Sequence, residues 1–289
     1  MNEFLQYTIQ GLAAGSFYAL AALGLAIIFG VLGVVNFAHG ASYMLGAVVA
    51  AVLLDVIGLN FWMALLVVPV LMFLFGILLE RLLISRLVAL DPLYNFLLTF
   101  GLSLVLVDLV KRQYGVSGLP YTRPEVLTGQ LVLGDVRLPT YQVFVLVFSI
   151  LVCVAVWLLM TRTRIGMIVR ASTEKSELTR ALGVDVNRWV TPVFGFGIAL
   201  AGLAGVLAAP FRAITADMGS SFIIILFAVV VIGGLGSIVG AVVAGFLVGL
   251  VEAYGQAYAA SLSQIVIFVL MALVILLRPA GLFGREENA

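Results

Sequence analysis

The side chains able to do covalent chemistry are scarce. One histidine, His39, and one cysteine, Cys153, occur in 289 residues. That excludes a His-cluster metal site and the usual Cys/His zinc sites. It also leaves little from which to build a nucleophile with its base, as a membrane enzyme would require. Cys153 lies inside an apolar run, where a lone thiol reads as a small core residue and no internal disulfide can form. Neither lysine, Lys111 nor Lys175, closes a GxxxxGK[ST] loop. No P-loop is present, so any ATP must be bound by another chain. Asp55, Asp108 and Glu252 fall near the ends of apolar runs and read as interfacial groups. A self-sufficient ion-coupled transporter would need carboxylates within the membrane. A formal net charge of +1 gives no reason to expect nucleic acid as a partner.

What remains is positional chemistry, in three places. The first is GVLGVVNFAHG, residues 30–40, where Asn36 and His39 stand between two apolar runs. Polar groups there mark a helix end or break facing protein or water rather than lipid. Two roles fit: a lining of a translocation path, or a cap that satisfies backbone groups at the helix end. The second is IGGLGSIVG, residues 232–240, where Gly233, Gly234, Gly236 and Ser237 break an apolar stretch. It reads either as a site of close helix packing or as a hinge or pore-lining break. The third is the polar segment 161–189, which holds Arg162, Arg164, Arg170, Lys175, Arg180 and Arg188. A cationic loop between apolar spans reads as cytoplasmic. Within it, Thr173 is expected as the N-cap of a short amphipathic helix with Glu174 and Glu177 in its first turn. Leu178, Ala181 and Leu182 share one face, and Gly183 ends the helix. Such a helix is too short to stand alone in water, so its apolar face needs a cover.

The elements that position these residues are membrane-grade. Hydrophobic residues make up 64% of the chain and charged residues 10%, against about 25% charged in soluble domains. The expected fold class is all-α: a polytopic helical bundle with Gly-rich broken segments and room for eight or nine spans of about 20 residues. The spans read as 6–35, 41–57, 61–83, 93–109, 141–160 and 189–209, then 221–232 and 238–254 around the glycine turn, and finally 262–277. Glu3 and the lack of early cations mark the first as a retained helix rather than a signal peptide. Residues 113–140 are polar and rich in Gly and Pro, with a hairpin expected around Gly134-Asp135. With the N-terminus outside and nine crossings, the cytoplasmic segments hold Arg81, Arg86, Arg162, Arg164, Arg170, Lys175, Arg180, Arg188, Arg278 and Arg285. The outer segments hold Lys111, Arg112, Arg123, Arg137 and Arg212. This asymmetry supports the orientation.

Four stretches together resemble a known family. They are GSFYALAALGLAIIFGVLGVVNFAHGASYMLGA (15–47), TRIGMIVRASTEKSELTRALGV (163–184), VVVIGGLGSIVGAVVAGFLVGLVE (229–252) and LRPAGLFG (277–284). In order and spacing they are similar to the membrane-spanning permease of bacterial ABC importers for branched-chain amino acids, specifically the shorter of the two permease subunits. The resemblance implies a single permease domain over 1–289 in the bacterial inner membrane. It implies that 113–140 is a periplasmic loop facing a substrate-binding protein, and that 162–188 is a cytoplasmic coupling loop. Within that loop Glu174, Glu177, Leu178, Arg180, Leu182 and Gly183 would dock on an ATPase subunit. The implied partners are a homologous permease subunit, two cytoplasmic ATPase subunits that bind the ATP, the binding protein and the lipid bilayer. No cofactor is expected on this chain itself. The implied solutes are leucine, isoleucine and valine; relatives carry urea, short amides or other amino acids.

Overall fold

The computed structural model describes residues 2–87, 90–133, 136–174 and 186–284. Ten α-helices follow one another among them: α1 (Asn2–Leu32), α2 (Ala38–Ile57), α3 (Phe61–Leu82), α4 (Pro92–Tyr114), α5 (Thr140–Arg162), α6 (Arg164–Glu174), α7 (Val186–Ala208), α8 (Met218–Gly233), α9 (Ile238–Tyr258) and α10 (Ser263–Leu277). Between α4 and α5 lies an antiparallel hairpin, β1 (Gln130–Leu133) with β2 (Val136–Pro139), in the expected register around residues 134–135.

Local chemistry sets the boundaries. The Asn60 side chain accepts from the Met63 amide at 3.0 Å and starts α3. Asp91 does the same for Leu93 at 2.8 Å, with Pro92 at the first helical position of α4. Gly58 ends α2 in the left-handed conformation, φ +69°, which costs glycine nothing.

Among the described residues, seven helices are long and apolar enough to cross a membrane: α1–α5, α7 and α9. Two shorter apolar helices are α8 and α10. At 16 residues, α8 extends about 24 Å, short of the ~30 Å hydrocarbon thickness. Its ends nevertheless meet opposite faces of the bundle. Asp217, just before it, pairs with Lys111 at the end of α4 at 2.8 Å. At its other end, the Ile232 and Gly233 carbonyls accept from Leu282 and Phe283 beyond α10.

Interhelical contacts sort the loops into two faces. On the first, Tyr254 near the end of α9 bonds to Thr8 near the start of α1, and Arg123 donates to the Pro210 carbonyl. There Leu119 also pairs with Ile214. On the second, Gly236 faces Gly30, and residues 280–284 abut Gly234.

The centre of the bundle is α1 and α7, both mostly buried, whereas α4 and α5 are largely exposed. Small residues allow this density. Gly11 and Gly15 of α1 lie against Gly245 and Gly249 of α9 so closely that an added Cβ at Gly11 would stand 2.9 Å from the Leu250 Cα. Gly40 meets Gly219, Gly46 meets Gly202, and Gly76 meets Gly195 in the same way. In lipid no hydrophobic force drives helices together, so close backbone packing is what holds them. The apolar stripe Leu66, Val70, Leu74 and Leu78 of α3 faces outward.

Candidate functional site

The chain reverses sharply after α1. Gly33 takes φ +65°, and α2 begins at Ala38, three residues earlier than the apolar run suggests. The reversal carries His39 back to the level of the middle of α1. Its Nε2 lies 2.9 Å from the Ala21 carbonyl oxygen. A carbonyl only accepts, so Nε2 carries the proton in this arrangement. Asn36 Oδ1 accepts from the Ala38 amide at 3.0 Å, closing an Asx-type cap at the start of α2. Both residues are buried, and among the described residues Asn36 Nδ2 and His39 Nδ1 have no hydrogen-bond partner. Phe37, between them, donates its amide to Thr99 Oγ1 at 3.2 Å and packs against Phe96, Phe100 and Phe227.

The glycine break is a compact joint. Gly234 (φ +101°) and Gly236 (φ +79°) turn the chain, and Ser237 Oγ accepts from the Gly240 amide at 3.1 Å to start α9. Residues 278–284 close over it: the Leu282 and Phe283 amides donate to the Ile232 and Gly233 carbonyls at 2.8 and 3.0 Å. Those carbonyls are among the orphan acceptors at the end of α8. The joint thus brings together two of the four distinctive stretches, 229–252 and 277–284. Sequence reasoning assigned the second no role, because nothing local shows which helix end it caps.

The cationic segment starts differently from expectation. The helix that reaches Glu174 begins at Arg164, so Thr173 lies within a helix instead of preceding one. The reason is a helical inward face that begins at Gly166 and continues through Val169 and Ser172 without a breaker. This α6 packs on α5, α1 and α7. Glu177, Leu178, Arg180, Leu182 and Gly183 lie outside the described residues.

One cluster goes beyond what the sequence suggests. Glu252, near the end of its span, is buried among protein side chains. The Tyr18 hydroxyl donates to its Oε2 at 2.5 Å, and Gln256 donates to Oε1 at 3.1 Å. Arg212, from the connection between α7 and α8, brings its Nη2 to 4.0 Å from Oε1. The Tyr18 ring stacks on Phe222, which stacks in turn on Tyr43. Glu252 precedes the end of α9 by less than two turns, so its position along the helix did not distinguish an inward from an outward face. Asp108 does pair at the surface, with Arg112 at 2.6 Å, and Asp55 is exposed. Beside Glu252 opens a cavity of about 460 Å³ on the face carrying the N-terminus. A second, of about 470 Å³, shares Phe211 and Arg212 with it and is lined by Tyr121. Burial pushes the Tyr121 hydroxyl up to about 12, so it remains neutral at physiological pH. Among the described residues no group of His, Cys, Asp and Glu side chains could hold a metal ion.

A bundle of apolar helices broken by glycine joints, with polar cavities on one face, defines a polytopic membrane protein. Residues 7–275 match the family model described as branched-chain amino acid transport system / permease component, and the chain belongs to that family. It is 32% identical to the high-affinity branched-chain amino acid transport system permease protein BraD of Pseudomonas aeruginosa, over 99% of this chain and 97% of that one. It is 30% identical to the corresponding permease protein LivH of Escherichia coli K12, over 98% and 96%. A shorter match, 32% over 37% of the chain and 34% of the relative, is to the autoinducer 2 import system permease protein LsrD of Salmonella paratyphi B. The chain is therefore an ABC permease component, a transport subunit and not an enzyme. Such a system includes ATPase and binding-protein subunits as partners.

Proposed function

We propose that this chain forms half of the translocation path of an importer for leucine, isoleucine and valine. It pairs with a homologous permease subunit and is driven by two ATPase subunits in the cytoplasm of a bacterial cell. The carrying observation is similarity along almost the whole chain to two permeases whose names specify branched-chain amino acids. The N-terminal face is periplasmic in this reading, with 113–140 turned toward the binding protein. The stretch from Glu174, at the end of α6 as described, through Glu177, Leu178, Arg180, Leu182 and Gly183 docks on an ATPase. ATP is bound by those partners, and this chain holds no cofactor. ATP-driven closure of the ATPases moves the docked segment and biases the bundle between inward- and outward-open states. Since α6 packs on α1, that motion has a direct route to the reversal at Asn36 and His39. The turn at Gly233, Gly234, Gly236 and Ser237, held under residues 278–284, is the second joint along the path.

The similarity to an autoinducer 2 permease over 37% of the chain makes the solute the point to test. The assay is uptake into proteoliposomes holding the complete transporter, with binding protein outside and ATP inside. Labelled leucine, isoleucine and valine are compared with urea and a short amide. ATP-dependent uptake of the three amino acids supports the reading. Preferred uptake of urea or the amide overturns the solute. Uptake by this chain alone, without ATP, would instead make it a secondary transporter.

A further inference from the structure

The Arg212–Glu252 pair is incomplete as a salt bridge. A charge-assisted hydrogen bond is about 2.7–2.9 Å long, yet Arg212 Nη2 stops 4.0 Å from Glu252 Oε1. Glu252 is already held by Tyr18 and Gln256, which fixes its orientation without neutralising its charge. The Arg212 side chain is about half exposed (49%), while that of Glu252 is 12% exposed. A cation and an anion are thus fixed side by side at the wall of one cavity. Its volume, about 460 Å³, falls in the range of about 300–1,000 Å³ typical of small-ligand sites. The remaining wall includes Ala14, Ala253 and Phe211. They form its apolar part, next to the two charges, while Tyr7, Gln10 and Gln142 line the rest.

We propose that this cavity is a binding site for a free α-amino acid in its zwitterionic form, on the entry side of the permease. The substrate carboxylate lies on the Arg212 guanidinium, whose planar fork matches a carboxylate with two parallel bonds. The substrate ammonium lies on Glu252, which Tyr18 positions. The aliphatic side chain lies against Ala14, Ala253 and Phe211. Selection for the α-amino acid headgroup then belongs partly to the permease itself. The proposal rests on the transport reading for its solute and for the side from which that solute enters.

The test uses the complete transporter in nanodiscs, with the Cys153→Ser and Ala253→Cys substitutions. Modification of the introduced thiol by an impermeant methanethiosulfonate reagent is followed by mass spectrometry of this chain. Leucine is expected to slow modification severalfold. Leucinamide, which lacks the carboxylate, and isocaproate, which lacks the ammonium, are expected not to. Arg212→Gln and Glu252→Gln should each weaken leucine protection by roughly tenfold or more, the order of one lost ionic contact. Arg212→Lys and Glu252→Asp retain charge and should retain part of the protection, provided complex assembly is intact. Equal protection by leucine and leucinamide would overturn the headgroup assignment. No protection by leucine, with ATP-driven leucine uptake intact, would overturn the site and leave the transport reading standing. Protection by leucine without ATP-driven leucine uptake would support the site and overturn the assigned solute.

Discussion

Adding one methyl group at Gly249 should damage this protein more than adding one at Gly101. Both glycines are inside helices, α9 and α4. A Cβ built at Gly249 would overlap Gly15 N, Gly15 Cα and Gly11 O of α1, all backbone atoms, whereas one at Gly101 meets nothing within 4 Å. Backbone cannot swing aside as a side chain can. Restoring contacts of about 3.5–4.0 Å requires α1 and α9 to part by about 1 Å, and such a gap forfeits roughly a quarter to a half of each dispersion contact. Overpacking of this kind costs about 1–3 kcal/mol, occasionally more. At Gly101 the only term is helix propensity, which favours alanine by about 0.8–1.0 kcal/mol. At about 2–4 °C per kcal/mol for a chain somewhat smaller than this one, Gly249→Ala should lower the detergent melting midpoint by several degrees. Gly101→Ala should leave it unchanged or raise it. Tryptophan fluorescence or a thiol-reactive dye against Cys153 reads either midpoint. Equal shifts at the two positions, or a stabilised Gly249→Ala, would refute the claim that α1 and α9 are held by backbone contact.

Further predictions concern the joints and the loops. His39→Asn should retain most transport if the histidine serves the fold, and loss of uptake with normal assembly would move it to the path. Truncation after Arg278 removes the amides that bond Ile232 and Gly233, at about 0.5–1.5 kcal/mol per bond; an unchanged melting midpoint would show that the C-terminal segment does not cap α8. Ser117→Cys, in the Cys153→Ser background, should react with an impermeant thiol reagent from the periplasm in intact cells, and labelling only after permeabilisation would invert the orientation. Leu182→Asp should abolish ATP-driven uptake while leaving membrane insertion intact; normal uptake would remove the docking role of the segment.

Much of this fold is written in composition and punctuation. Runs of about 20 apolar residues must be helices in lipid, because unpaired backbone groups there cost several kcal/mol each. Spans at 61–83 and 141–160 therefore matched α3 and α5 closely, and glycines at 33 and at 233–236 marked both breaks. The hairpin at 130–139 was legible for a similar reason, two short β-prone runs around Gly134-Asp135. Absence of a P-loop follows from the positions of two lysines, and the family resemblance from four motifs in order. In α6, charged residues mask a helical inward face of Gly166, Val169 and Ser172, so the sequence there suggests a loop.

Tertiary structure decided what each helix turns inward. Glu252 lies near the end of an apolar helix, where a carboxylate is equally at home facing water or protein. Only the arrival of Tyr18, 234 residues away along the chain, and of Arg212 from a connecting loop made it part of a charged cavity. Likewise LRPAGLFG carries no local sign that its amides complete the last turn of α8. Hydrophobicity and helix breakers act over a few residues and can be read along the chain. Charge pairing and backbone capping act across space, and in a bundle so uniformly apolar it is the packing of glycine on glycine that determines which distant residues meet.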